Sequence, residues 1–220
     1  REYIDIIRQV MRREEPVSNE GPHYPLPYKG EGSWGMGKPL KPITHPLRSD
    51  LPIYLGAEGP KNVALAAEVC DGWLPLWYTP YREEVYADSL VNAPDDFDIV
   101  QGVSVSVTDD LEAAFDAQRP MLGFYIGGMG SKDRNFHKDL MGRMGYPEEA
   151  QKIQDHFLAG ERAEAIAAVP NEFIDEICLI GPKERIRDRL QAWKESRVTT
   201  MNLHAQDPES LKAIAEVVMD

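Results

Sequence analysis

The chain has 220 residues and a formal net charge of −13 at pH 7, which argues against nucleic acid or an anionic membrane surface as a partner. Hydrophobic residues make up 42% of the sequence and charged residues 28%, as in a globular protein that buries a sizeable core. No apolar run reaches the roughly 18 residues that a membrane span needs, so we expect neither a membrane anchor nor a signal peptide. Cys70 and Cys178 both lie in apolar helical patterns, and we expect them to be buried free thiols of a cytoplasmic protein.

The first predicted element is an amphipathic helix over residues 1–13, in which apolar residues recur every three or four positions. Residues 14–50 are rich in proline and glycine and are predicted to form a long loop. Tyr24, Tyr28 and Trp34 lie in this loop and favour a packed conformation over disorder. Because the chain opens on a helix rather than on a strand, we expect that an N-terminal part of the fold is missing.

From residue 51 onward the sequence alternates between strand and helix patterns. Four strands are predicted, at residues 52–56, 72–77, 99–107 and 198–205. Helices are predicted at residues 60–70 and 81–91, from Leu111, over residues 181–197 and from Pro208. Thr108 or Asp109 is the expected cap of the Leu111 helix, and Pro120 is expected to interrupt it. Residues 131–180 are predicted to be an insertion of several helices before the last strand.

Strands that alternate with helices imply an α/β fold with a parallel sheet. Four strands and one leading helix correspond to the second half of a (β/α)8 TIM barrel, which takes about 250 residues when it is complete. We therefore expect residues 1–220 to form a single partial barrel domain. The alternative is an open four-stranded α/β sheet, which would have to protect two strand edges that a barrel closes.

The turn between the first predicted strand and helix, GAEGPKN at residues 56–62, is a candidate binding site. Gly56 and Gly59 leave the main-chain amides unshielded, and the positive end of the helix dipole adds to their attraction for an anion. Lys61 and Asn62 supply further donors from the first helical turn. The alternative is a tight turn whose glycines serve only its geometry. The spacing matches neither the dinucleotide fingerprint nor a Walker loop.

Longer segments around this turn carry a family resemblance. The stretch PIYLGAEGPKNVALAAEVCDGWLP resembles the phosphate-binding strand, turn and helix of the luciferase-like flavin and deazaflavin oxidoreductases. The segments GKPLKPITHPLRSDLPIYLGA, FYIGGMGSKDRNFHKDL and LIGPKERIRDRLQAWKESRVTTM are also similar to that family, and together they point to the branch that uses the deazaflavin coenzyme F420. The resemblance implies a (β/α)8 barrel of which this chain looks like the C-terminal two-thirds. Nothing in the sequence corresponds to the first four strands of the family.

The resemblance also implies a cofactor and its site. The phosphate would lie on the turn formed by Gly56, Ala57, Glu58, Gly59 and Pro60, with Lys61 and Asn62 adjacent. The implied activity is hydride transfer between F420 and an organic small-molecule substrate, because deazaflavin lacks the ring nitrogen that makes flavins react with oxygen. An FMN-dependent monooxygenase is the close alternative, since the turn does not distinguish the two cofactors. A noncatalytic flavoprotein or assembly domain is a further alternative, and a homodimer is expected by analogy.

His204 is the candidate catalytic residue. Alternation in VTTMNLHA directs Thr200, Asn202 and His204 inward and Met201, Leu203 and Ala205 toward the covering helices. His204 would therefore lie at the C-terminal end of its strand, on the catalytic face of a (β/α)8 barrel. There it could donate a hydrogen bond to substrate or act as a general acid. The alternative is a packed histidine without chemistry.

Three aromatic residues and two cations complete the candidates. Trp73, Trp77 and Tyr78 end the second predicted strand and are expected to line an apolar substrate pocket, with core packing as the alternative. Lys132 and Arg134 follow a glycine cluster and would suit an anionic tail such as the polyglutamate of deazaflavin, unless the glycines form a simple hinge. The five histidines show no metal-binding spacing, so no metal site is expected.

Overall fold

The computed structural model describes residues 1–205 and 207–219. In these residues one sheet contains the parallel strands β1 (Tyr54–Gly56), β2 (Gly72–Leu74), β3 (Asp98–Val107), β4 (Leu179–Gly181) and β5 (Thr200–Ala205). The helices are α1 (Glu2–Arg12), α2 (Pro60–Val69), α3 (Leu111–Gly128), α4 (Phe136–Arg143), α5 (Pro147–Leu158), α6 (Arg162–Ala167), α7 (Asn171–Ile177), α8 (Lys183–Glu195) and α9 (Pro208–Met219). Two short 3-10 helices, Pro80–Tyr86 and Asp88–Leu90, lie between β2 and β3. The predicted α/β class with a parallel sheet is confirmed.

The ten-residue strand β3 organises the sheet, because it pairs with three other strands. Its first two residues, Asp98 and Ile99, pair with β2, and β1 extends the sheet beyond β2. Val105 is in register with Leu179 of β4 and with Ala205 of β5. Strands β4 and β5 therefore lie on opposite sides of β3.

The two faces of the sheet differ in what covers them. One face packs against the helices and contributes Trp73, Ile99 and Val103 to the hydrophobic core. The opposite face is half-buried or exposed along Val100, Gly102, Ser104, Thr200, Asn202 and His204. Met201 and Leu203 pack against the core instead. The alternation predicted for β5 is thus confirmed.

A buried glutamine fills a gap in the sheet between β2 and β4. Strand β2 ends at Leu74 and β4 begins opposite Val105, so the edge of β3 that faces away from β5 has no strand partner between them. Gln101 lies in this gap. Its Nε2 donates to Leu76 O at 3.1 Å, and its Oε1 accepts from Tyr78 N at 3.1 Å. The side-chain amide thereby satisfies main-chain groups that would otherwise be buried without partners.

Helix α2 packs closely on the sheet because its buried face consists of small residues. Val63, Ala66 and Ala67 are buried, and Cys70 follows them at the end of the helix. Both Cys70 and Cys178 are buried free thiols, as predicted. Burial raises the pKa of Cys178 to about 12, so this thiol stays protonated at neutral pH.

The segment predicted as one helix over residues 81–91 forms the two 3-10 helices instead. At Arg82 the backbone leaves the helical region, with φ −139° and ψ 34°. The guanidinium of Arg82 donates to both carboxylate oxygens of Glu176, at 3.0 and 2.7 Å. Tyr86 and Leu90 are drawn into the core. These tertiary contacts override the local preference for an α-helix.

Helix α3 runs through Pro120, which was predicted to interrupt it. Its cap is Asp110, whose side chain accepts from the main chain of the first turn at 3.0 Å, rather than Thr108 or Asp109. At Gly123 a Cβ atom would lie 3.2 Å from the main chain of α6. This close packing against the following helices holds α3 together across the proline.

The strand β4 was missed, so the predicted number of strands was wrong. It has three residues, all buried, and follows directly after helix α7. Its apolar residues could not be separated from the helical pattern of residues 131–180. That segment contains the four helices α4 to α7, as expected, and β4 and α8 lie between these helices and the last strand β5.

Residues 14–50 form the predicted long loop, with two isolated antiparallel bridges. Tyr24 packs against Tyr3 of α1, with 5.9 Å between the ring centroids. Tyr28 is exposed, and Trp34 is 92% exposed. The prediction that the loop aromatics pack is therefore correct for Tyr24 and wrong for Trp34.

Two findings about composition and spacing apply to the described residues alone. In residues 1–205 and 207–219 no helix is long and apolar enough to cross a membrane. The same residues contain no group of three or more His, Cys, Asp or Glu side chains that could hold a metal ion.

Replacing Gln101 by leucine should lower the free energy of unfolding by about 2 to 4 kcal/mol, because two buried main-chain groups lose their partners. Denaturation in urea measures this change. Gln191, an exposed glutamine on α8, provides the matched control, and Gln191→Leu should change the free energy by less than about 0.5 kcal/mol. Equal effects of the two substitutions would contradict the structural role of Gln101.

Candidate functional site

The turn between β1 and α2 has the features of an anion-binding site. Gly59 precedes the first helical residue, Pro60, and has φ −73° and ψ 140°. Among the residues that the structure describes, the amide groups of Glu58, Gly59 and Lys61 donate to no protein acceptor. A Cβ atom added at Gly56 or Gly59 would meet no atom within 4 Å, so the space beside the turn is open. Free amides at a helix N-terminus attract anions.

Two carbonyl groups of the turn, in contrast, are held by protein donors. Ala57 is buried, and its carbonyl oxygen accepts from Trp73 Nε1 at 2.7 Å. The carbonyl oxygen of Glu58 accepts from Arg143 Nη2 of helix α4 at 3.0 Å. The exposed polar side chains in the first turn of α2 are Lys61 and Asn62. The protein thus fixes the conformation of the turn and leaves its amides free for a ligand.

His137 of α4 lies beside the turn and was not identified from the sequence. Its Nδ1 lies 3.0 Å from Oε2 of Glu58. The imidazole ring stacks on Tyr125 with 4.9 Å between centroids and meets Trp77 edge-on at 5.6 Å. The sequence offered one signal, the capping residue Asn135 that begins this helix. It gave no indication that the helical insertion reaches back to Glu58.

A cleft of about 310 Å³ opens on the sheet beside the gap between β2 and β4. Its walls include Trp77, Gly102, Ser104, Cys178 and His204. Trp77 also contacts His137, so the cleft and the turn are joined through one cluster of aromatic rings. A concave, largely apolar surface with a few polar groups is typical of a small-molecule site.

His204 lies on the face and at the strand end that were predicted for it. It is exposed, near the C-terminal end of β5, and in register with Ser104 of β3. A Cβ atom at Gly102 would lie 3.2 Å from His204 Nε2, so the glycine leaves room for the imidazole. The structure therefore brings His204 into the same cleft as Trp77. Its catalytic role stays a prediction.

Trp73 and Tyr78 lie in the hydrophobic core rather than in the cleft. Trp73 packs edge-on against Tyr78 at 6.0 Å and against Tyr86 at 4.8 Å between ring centroids. Burial, with a smaller effect of the hydrogen bond to Glu83, raises the pKa of Tyr78 above its ordinary value. Of the three aromatic residues predicted to line a substrate pocket, Trp77 lines the cleft.

Lys132 and Arg134 are exposed just beyond the end of α3. Within the described part of the chain, neither side chain forms a hydrogen bond or an ion pair. Binding of an anionic cofactor tail at this position stays a prediction.

Comparison with known proteins agrees with the fold. The profile of the luciferase-like monooxygenase family matches residues 1–200. The "Putative coenzyme F420-dependent oxidoreductase Rv3520c" of Mycobacterium tuberculosis is 45% identical over 227 aligned positions, which cover 99% of this chain and 65% of that protein. The 5,10-methylenetetrahydromethanopterin reductase of Archaeoglobus fulgidus is 28% identical over 213 positions, which cover 90% of this chain and 57% of that protein.

A solved structure extends the comparison to the fold. The coenzyme F420 dependent tetrahydromethanopterin reductase from Methanopyrus kandleri superposes with a TM-score of 0.68 at 24% identity, covering 97% of this chain and 59% of that chain. The chain thus spans less than two-thirds of the length of each of these proteins. The expected luciferase-like barrel, present in part, is confirmed. Because the family profile covers most of the sequence, this chain belongs to the luciferase-like monooxygenase family.

Proposed function

We propose that the protein binds coenzyme F420 and transfers a hydride between it and an organic small-molecule substrate. The observation that carries the proposal is the turn at residues 56–62, where three main-chain amides have no acceptor among the described residues. Support for the cofactor comes from the names of the relatives, which include F420-dependent oxidoreductases.

The residues of the turn fit the phosphate group of such a cofactor. The amides of Glu58, Gly59 and Lys61 offer donors at the positive end of α2. The open space at Gly56 and Gly59 allows a ligand to approach the backbone. The ammonium group of Lys61 adds a positive charge in a chain whose net charge is −13.

When bound, deazaflavin supplies a ring carbon that accepts or releases a hydride without reacting with oxygen. The chain itself would position the reactants and exclude water. Trp77 and the buried Leu122 form an apolar wall of the cleft in which a substrate would lie. His204, beside Gly102, would hold or donate a proton at Nε2 toward a substrate oxygen.

We further infer that residues 1–220 form a single partial barrel domain and that the protein assembles as a homodimer. Both inferences rest on the family resemblance. FMN-dependent oxygenation on the same fold is the alternative activity, and a noncatalytic flavoprotein is the alternative without turnover.

A side-by-side calorimetric titration with coenzyme F420 and FMN tests the proposed cofactor. We expect F420 to bind at least about tenfold more tightly, which corresponds to roughly 1.4 kcal/mol. Tighter binding of FMN would contradict the proposal and move the protein to the FMN-dependent alternative. If neither cofactor binds, the turn does not serve the proposed function.

Replacing Gly59 by valine should weaken F420 binding by about 100-fold or more, because the branched side chain fills the space that the phosphate needs. The fold should remain intact, since a φ of −73° suits any residue and the added Cβ meets no protein atom. Calorimetry and thermal unfolding measure the two effects. Ala64→Val, on the exposed side of α2, is the control and should bind normally. Unchanged affinity of the Gly59 variant would show that the turn is only a structural element.

Replacing Lys61 by alanine should weaken F420 binding by about three- to tenfold at low salt. The loss should shrink at high salt, because the exposed ammonium group is screened. Titrations at two salt concentrations measure the difference. Lys194→Ala, a substitution on the exposed face of α8, should have no effect at either concentration. If native affinity does not depend on salt, Lys61 does not meet the phosphate.

A further inference from the structure

Glu58 places a carboxyl group in the middle of the turn that we propose binds a phosphate. A carboxylate at this position would lower the affinity for an anion by electrostatic repulsion. The side chain is 19% exposed and its Oε2 lies 3.0 Å from His137 Nδ1. Among the described residues, Oε2 has no hydrogen bond of good geometry. A nearby positive charge stabilises a partly buried carboxylate of this kind.

His137 is held in a fixed position facing this carboxylate. Its side chain is 13% exposed, and the ring packs between Tyr125 and Trp77. The side chain of Asn135 accepts from the His137 amide at 3.0 Å and thereby fixes the start of α4. In the described chain neither ring nitrogen has a hydrogen bond of good geometry. Ring packing, rather than hydrogen bonds from its nitrogens, therefore holds this imidazole in place.

Other charged and titratable groups lie around the pair. Arg143 donates to the main-chain oxygen of Glu58 and not to its carboxylate, and a guanidinium stays protonated. Burial raises the pKa of Tyr86, with Arg143 opposing and Glu58 adding to the effect, so Tyr86 stays neutral. Further titratable residues on the elements that carry the pair or contact it include Lys61, Tyr125, Lys138 and Asp139.

We propose that Glu58 and His137 form a protonation-dependent pair that sets how strongly the turn at residues 56–62 binds an anion. A protonated His137 compensates the carboxylate of Glu58, whereas a neutral His137 leaves the carboxylate to repel the phosphate. The inference rests on the proposed function and makes His137 a positioning residue, not a catalytic one. It follows that F420 binds more tightly when His137 carries a proton than when it does not.

Calorimetric titration of the full chain with coenzyme F420 at pH 6 and pH 8 tests the pair. The native protein should lose about tenfold more affinity between the two pH values than His137→Gln does. Glu58→Gln should bind more tightly than the native protein at pH 8, because it has no carboxylate to repel the phosphate. His137→Gln should bind weakly at both, since the carboxylate then stays uncompensated. His156→Gln is the matched control, because His156 pairs with Glu161 at 2.6 Å on the surface of the insertion, and it should behave like the native protein.

The outcomes separate this inference from the proposed function. If the native protein and His137→Gln show the same change in F420 affinity between pH 6 and pH 8, the pair has no such role while the cofactor assignment stands. A Glu58→Gln variant that binds F420 no more tightly than the native protein at pH 8 would equally overturn the pair, and this variant decides the question even if His137→Gln fails to fold. Absence of F420 binding to the native protein at both pH values would overturn the proposed function and this inference with it. Titration of the ligand itself cancels, because each variant is compared with the native protein under the same conditions.

Discussion

The pairing of β3 with three neighbouring strands is the constraint on which the rest of the structure depends. Its register with β2, which in turn pairs with β1, helps to fix where the first strand ends, and so where the turn at residues 56–62 begins. Its register with β5 places His204 opposite Ser104 and beside Gly102. Between the end of β2 and the start of β4, no strand of the described residues pairs with the edge of β3 that faces away from β5. Gln101 occupies the gap, and the cleft opens beside it. One strand therefore sets the positions of both parts of the candidate site.

The helical insertion contributes residues that contact the turn at residues 56–62. Helix α4 brings Arg143 and His137 against Glu58, so a segment far away in the sequence holds the turn and faces its carboxyl group. Through Trp77 the same histidine contacts the wall of the cleft. The turn and the cleft are thus parts of one packed unit.

Patterns within single elements predicted much of this structure. The helices α2 and α8 and the alternation of β5 were predicted from local patterns, which tertiary contacts reinforced. Prediction failed where long-range contacts decided the outcome. Arg82 leaves the helical conformation where it binds Glu176, and β4 forms a strand by pairing with the edge of β3. The turn and His204 could be predicted as candidate site residues because the signal lies within a short stretch of sequence. His137 could not be predicted in this way, because its partner Glu58 is remote in the sequence.

The central claim is that the free amides of the turn bind the phosphate of coenzyme F420. Amide nitrogen–hydrogen correlation spectra of the full chain, recorded as F420 is added, test this claim residue by residue. The account predicts that the amides of Glu58, Gly59 and Lys61 show the largest shifts, because each gains a charged acceptor. If F420 binds while these three resonances stay in place and other amides move, the cofactor lies elsewhere and the account is contradicted.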